Sequence, residues 1–255
     1  MTTYNETKLK TLLNSIKPGT IVLASWLEEI GISRNLQKHY IKSGWLESVG
    51  RGAFKRPGDQ IQWQGGLYSI QHQSNINVHA GALTALALRG LNHYFRLQEE
   101  TIFLFTSRKT SLPKWFLTHN WENQIHQNQT TFLPIGLGIE EHEEKNFSIQ
   151  ISSPERAMLE CLYLTPDTLD LVECFHLMEG LVNLRPQLVQ QLLQQCNSIK
   201  VKRLFLYLSE KANHSWLQFV NPQVIDIGNG NRSLSRGGTY ISKYQITIPN
   251  ELAVL

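Results

Sequence analysis

What this 255-residue sequence has little of already narrows it. It holds three cysteines, Cys161, Cys174 and Cys196, far apart and without a CxxC or Cys/His pairing. Neither a zinc site nor a disulfide framework is indicated, and small buried hydrophobes in a reducing cytoplasm are the expectation. No apolar run approaches membrane-spanning length, and the opening MTTYNETKLKTLLNSI lacks the apolar core of a signal peptide. A cytoplasmic protein with no membrane partner is therefore expected. Catalytic signatures are missing as well: there is no GxxxxGKS phosphate loop, no HExxH and no GxSxG elbow. The residues point to no enzyme, no cofactor and no metal.

Charge is scarce and uneven. The net of +3 hides a basic first quarter, since residues 1–60 carry nine Lys/Arg against five Asp/Glu and the remainder 15 against 16. A local basic excess of this kind is the footprint of a polyanionic partner.

That basic part contains the stretch from Gly19 to Pro57, GTIVLASWLEEIGISRNLQKHYIKSGWLESVGRGAFKRP. Val22, Leu23, Trp26, Leu27 and Ile30 recur at helical spacing, with Glu28 and Glu29 left for solvent. Gly31 stops this helix and Ser33 caps the next. The second helix, 34–43, has an apolar side through Leu36, Tyr40 and Ile41. Arg34, Asn35, Gln37, Lys38 and Lys42 lie off that side, in reach of a major groove. Gly44 ends the helix, and residues 49–54 give strand, tight turn and strand, with Arg51 at the tip and Lys55-Arg56 on the return. This is the pattern of a winged helix-turn-helix. A recognition helix reads base edges, while a wing carrying Arg51, Lys55 and Arg56 anchors on phosphates without reading sequence. A small helical domain whose basic residues only keep it soluble is the competing account; turn, cap and wing together favour duplex DNA.

A first helix over 5–16, with Leu9, Leu12, Leu13 and Ile16 on one face, precedes the motif. Pro57-Gly58-Asp59-Gln60 marks a domain boundary, giving a DNA-binding domain at 1–60 and a second domain at 61–255. Expected helices cover 63–73 and 78–91, and expected strands cover 101–106, 130–133 and the Phe147, Ile149, Ile151 alternation. Ser153 and Pro154 open a helix, with Glu155 at its positive end. Leu171, Phe175, Met178 and Val182 mark the next, and Pro186 begins a Gln-rich one. Val201, Leu204, Phe205 and Leu208 mark a fourth. Extended structure is expected at 224–227 and around Tyr244, Ile246 and Ile248. The whole reads as α+β: a winged helix-turn-helix followed by a larger mixed domain.

Three stretches carry residual chemistry. Residues 140–144, EEHEE, read as a solvated turn; with Lys145 and Glu122 they also formally match half of a magnesium-nuclease site, though outside an apolar strand. The loop GNGNRSLSRGG, 228–238, offers Arg232 and Arg236 and anion-binding turns, against the plainer reading of a connecting loop. Lys200, Lys202 and Arg203 form a second basic cluster.

The segments LASWLEEIGISRNLQKHYIKSGWLESVGRGAFKRPG, VHAGALTALALRGLNHY, ISSPERAMLECL, NLRPQLVQQLLQQC, VKRLFLYLSEKANHSW and GGTYISKYQITIP together resemble the AbiEi-family antitoxins of bacterial type IV toxin–antitoxin, or abortive infection, systems. The resemblance implies an N-terminal winged helix that represses its own operon at inverted repeats, and a C-terminal domain that opposes a nucleotidyltransferase-like toxin. It matches Arg34, Asn35, Gln37, Lys38 and Lys42 to the recognition helix, beside the Ser33 cap, and Arg51, Lys55 and Arg56 to the wing. Lys202, Arg203, Arg232 and Arg236 are the cationic candidates for opposing the toxin. No catalytic residue is carried over, and without a heptad seam a monomer is expected in solution. Two other functions stay open: a winged-helix regulator whose second domain senses a ligand or protein, and a metal-dependent nuclease.

Overall fold

The structure, a computed structural model, describes residues 2–91, 101–235 and 237–255, with side chains from residue 8 onward. Helix α1, Thr2–Ser15, buries Leu12, and Ile16 just past its end is buried too. Strand β1, Val22–Leu23, leads into α2, Ala24–Glu29, and α3, Arg34–Lys42. Val22 and Leu23, expected to begin a helix, are instead extended. They pair with Phe54 and Ala53 of β3, Ala53–Lys55, which also forms a hairpin with β2, Glu47–Gly50. Val22 reaches the core by that route, beside Leu12, Leu27, Ile32, Tyr40 and Leu46, and Leu23 is buried as well. Pairing with a distant strand has overridden helical spacing.

Helix α4, Trp63–Gln73, has the expected bounds but is more than a connector. Gly65 lies where an added Cβ would stand 1.9 Å from the Gly19 carbonyl oxygen, so this glycine is what lets helix and loop backbones touch. The expected helix over 78–91 divides into strand β4, Val78–Ala80, and helix α5, Ala82–Leu88. Ala80 pairs in parallel with Ile151, and Ala82 takes φ +47°, its N–H donating to buried Glu160 at 3.0 Å. Strand β5, Thr101–Thr106, is as expected, and is followed by α6, Lys114–Thr118, and β6, Gln124–Gln129.

Residues 130–133, expected as a strand, form none; Phe132 and Leu133 are buried as loop anchors, Phe132 stacking on Tyr163. The acidic run is no turn but lies largely in β7, Ile139–Glu143. Strand β8, Ser148–Ser152, buries Ile149 and Ile151 as their alternation requires. One sheet has the order β6-β5-β4-β8-β7.

Helices α7, Pro154–Leu164, α8, Leu171–Gly180, α9, Pro186–Gln195, and α10, Ile199–Lys211, follow. Ser153 caps α7, its Oγ accepting from Arg156 N at 3.4 Å, and Pro154 takes the first turn. Val182 lies beyond α8 and is exposed, so only the first three residues of its expected apolar stripe pack. The expected extended segment at 224–227 is instead a 3₁₀ turn, Pro222–Val224, leading into irregular chain. Strands β9, Arg232–Ser233, β10, Thr239–Ile241, and β11, Ile246–Ile248, form a small sheet in the order β10-β11-β9, and α11, Asn250–Val254, closes the chain.

The fold is thus mixed α+β. It separates into two compact units: 1–79 with 99–129 and 141–150, and 80–98 with 130–140 and 151–255. The boundary expected at residue 60 falls inside the first of these. Among the described residues no helix is long and apolar enough to cross a membrane.

Candidate nucleic-acid interface

The turn between α2 and α3 is built as its residues dictate. Gly31 has φ +84°, a conformation glycine adopts without steric cost, and Ser33 Oγ accepts from Leu36 N at 3.4 Å. Gly44, at φ +75°, ends α3. Helical arithmetic then sets one narrow buried side, Leu36, Gln37 and Tyr40, and a broad outer face. Arg34, Asn35, Lys38, His39 and Lys42 are all exposed. Arg34 is engaged by Glu28 at 2.8 Å, an exposed pair of little energetic consequence.

Gln37, expected among the base-reading residues, is the correction on this helix. It is 2% exposed, and its Nε2 donates to the carbonyls of Ala24 at 3.0 Å and Ile32 at 2.9 Å. Both amide protons are committed to joining α3 to the start of α2 and to the turn before it. Ile41, expected to be core, is 37% exposed and flanks the outer face.

The hairpin keeps Arg51 exposed at its two-residue tip, where Gly52 takes φ +75°. Its other two cations turn away from that role. Lys55 pairs with Glu47 at 3.4 Å and donates to the Asp59 carbonyl at 2.9 Å. Arg56 donates to the Leu13 carbonyl near the end of α1. Neither presents the free charge expected of it, because each finds an acceptor within its own unit.

The C-terminal candidates divide likewise. Arg203 is fully buried, and its guanidinium donates to the carbonyls of Ile227 at 2.7 Å, Gly230 at 2.6 Å, Gly228 at 3.0 Å and Gln245 at 3.1 Å. It holds the 227–230 loop in place rather than facing a partner. Lys202 is 4% exposed and Lys200 donates to the Tyr163 carbonyl at 2.8 Å, so the basic cluster is internal. Arg232 is exposed on β9, and Arg236 lies outside the described residues.

Thiol chemistry has no footing here. Cys161, Cys174 and Cys196 are free and buried, and burial raises the pKa of each, which keeps them protonated and poor as ligands or nucleophiles. The charged residues of the SSPERA segment are structural. Arg156 pairs with Glu160 at 2.8 Å, and Arg185 spans Glu155 at 2.8 Å and Glu140 at 2.6 Å.

Two family models match the sequence in tandem. One, described as "Transcriptional regulator, AbiEi antitoxin N-terminal domain", matches residues 5–97, and the other, "Transcriptional regulator, AbiEi antitoxin, Type IV TA system", matches residues 99–249. No curated protein matches the sequence. Among solved structures, the crystal structure of the RV2827C protein from Mycobacterium tuberculosis is similar, with a TM-score of 0.56 and 12% identity over 96% of this chain and 91% of that one. At that identity the likeness is one of fold. The tandem matches, spanning both the basic N-terminal segment and the helical second half, show that the chain belongs to the AbiEi antitoxin family of transcriptional regulators of type IV toxin–antitoxin systems.

Proposed function

We propose that this chain is a winged helix-turn-helix repressor that binds duplex DNA at inverted repeats in its own promoter, and that it also opposes a nucleotidyltransferase-like toxin. The observation that carries the DNA reading is the outer face of α3, where Asn35, Lys38, His39 and Lys42 are exposed together beside a hairpin tipped by Arg51. Such a face suits a major groove, and cations and amides on it suit base edges. The protein is a monomer off DNA, and copies meet on repeated half-sites.

Fluorescence anisotropy with the promoter fragment and a random duplex of equal length tests this. Lys38→Ala is expected to lose about 1–3 kcal/mol of discrimination between them if Lys38 makes a good base contact. Arg51→Ala is expected to weaken both alike. No preference of the wild type for its promoter removes the proposal.

The toxin-opposing activity is assigned to the second half of the chain, with Arg232 the remaining exposed candidate among those described. Co-expression of the toxin with full-length Arg232→Glu is expected to reduce growth rescue while repression persists; full rescue removes Arg232 from the surface. Ligand sensing has one observation in its favour, an open cleft of about 450 Å³ in the second unit, lined by Leu206, Leu217, Val220, Ile225, Glu210 and Lys243. A neighbouring gene that encodes no nucleotidyltransferase-like product would favour that reading.

A further inference from the structure

We propose that the loop between β5 and α6, carrying Arg108, Lys109 and the adjoining Lys114, is a second phosphate-binding element of the DNA interface, working beside the hairpin. The inference rests on the DNA reading above and extends it to residues well beyond the helix-turn-helix. The hairpin is short of free charge. With Lys55 and Arg56 held by Glu47, Asp59 and Leu13, Arg51 is the hairpin's one uncommitted cation among the described residues. A wing so depleted contributes little counterion release.

The loop supplies what the hairpin lacks. Residues 101–121 hold three cations, Arg108, Lys109 and Lys114, and no carboxylate. All three side chains are exposed, and none has an ion pair among the described residues. A run of unopposed cations on the surface of a chain whose net charge is only +3 stands out as a site for a polyanion.

Placement ties the Lys114 end of the loop to the hairpin. A Cβ on Gly50, the residue before Arg51, would stand 2.8 Å from Trp115 Cβ, so β2 runs against α6 next to Lys114. The charge on the other hairpin strand is also felt by the same segment. His119, just past α6, has its pKa lowered first by burial and then by the charge of Lys55. Hairpin and α6 are thus neighbours through β2, within one compact unit.

The loop is also held in shape. Leu112, Trp115 and Phe116 are buried anchors. Gln127 Nε2 donates to Thr110 O at 2.6 Å and Thr106 Oγ1 at 2.9 Å, and Gln129 Nε2 donates to Thr110 O at 2.8 Å. Much of the backbone ordering that binding would otherwise require is therefore complete in the free protein. The ligand chemistry is the phosphodiester backbone of duplex DNA, touched without reading bases.

Salt-titrated anisotropy on the full-length protein tests the inference, using the promoter fragment and a random duplex. The triple variant Arg108→Gln/Lys109→Gln/Lys114→Gln is expected to weaken both duplexes equally. The log–log salt slope should become shallower by about one for each phosphate no longer neutralised, up to about three. A melting curve checks folding; if the triple is unfolded, each single Gln variant is titrated, and its slope is expected to fall by about one where that cation meets a phosphate. A wild-type slope in the triple, while Lys38→Ala still loses promoter preference, overturns the loop and leaves the DNA reading standing. Weakening confined to the promoter duplex overturns the phosphate assignment. Failure of the wild type to bind either duplex overturns both readings.

Discussion

Helices α3 and α10 each carry a cluster of cations in the sequence, and the fold treats them in opposite ways. Helix α3 buries only one narrow side, so Arg34, Lys38 and Lys42 stay at the surface. Helix α10 is buried along its whole length from Val201 to Ser209, and Lys202 and Arg203 go in with it. The cause is what packs over the polar side, not the number of charges. In α10 Val201, Leu204, Phe205, Leu206 and Leu208 are buried on one broad side, and the 227–230 loop with Gln245 covers the side that carries Arg203. A buried guanidinium must then find acceptors, and Arg203 takes them from the backbone of the following loop. A basic cluster therefore says nothing about a partner until the rest of the helix circumference has been read.

The contrast breaks most visibly at Arg203. Arg203→Met is expected to lower the unfolding free energy by about 3–5 kcal/mol, since several buried carbonyls lose a charged donor. Urea unfolding checks it, and a cost near that of a surface substitution would make Arg203 a partner-facing residue after all. Gln37 is the interior member of the otherwise exposed helix. Gln37→Ala is expected to cost about 2 kcal/mol, and to weaken promoter binding without removing any base contact.

A smaller effect sharpens the comparison from the acid side. Burial alone would raise the pKa of Glu155, but the Arg185 hydrogen bonds outweigh it and the folded value lies below the ordinary 4.5. A depressed carboxylate stabilises the fold above its unfolded pKa and loses that contribution as pH falls through the folded value. Stability is therefore expected to decline below pH 4.5, and less so in Glu155→Gln, a difference that melting curves across pH would record. The smallest change in stability belongs to Lys38→Ala/Lys42→Ala. Its unfolding free energy is expected to stay within about 0.5 kcal/mol of wild type while DNA binding falls. A large loss of stability there would place those lysines in the fold, as in α10.

What was legible in the sequence follows the reach of each interaction. Gly31, Ser33, Gly44, Ser153 and Pro154 act on their own turn of chain, and the helix ends they mark are where they were expected. Val22-Leu23 and Val78–Ala80 misled because their partners, Phe54, Ala53 and Ile151, lie far along the chain. Arg56 likewise meets a carbonyl 43 residues away, which no local pattern announces. Gln37 left no trace, since a glutamine among polar neighbours reads as surface. Arg203 did leave one: the unbroken apolar run of LFLYL beside it, which outweighs the two charges before it.

The Gln37 clamp has a consequence for how the outer face of α3 is aimed. Apolar packing tolerates sliding, whereas a pair of hydrogen bonds fixes direction as well as distance. With one amide tethered to Ala24 and Ile32 together, α3 resists rolling about its own axis. A roll of one residue is about 100° in an α-helix, enough to swap Lys38 for a core position. The side chains on the outer face are thus free to vary in identity while their compass bearing stays the same, so binding preference can drift by single substitutions without a change of fold.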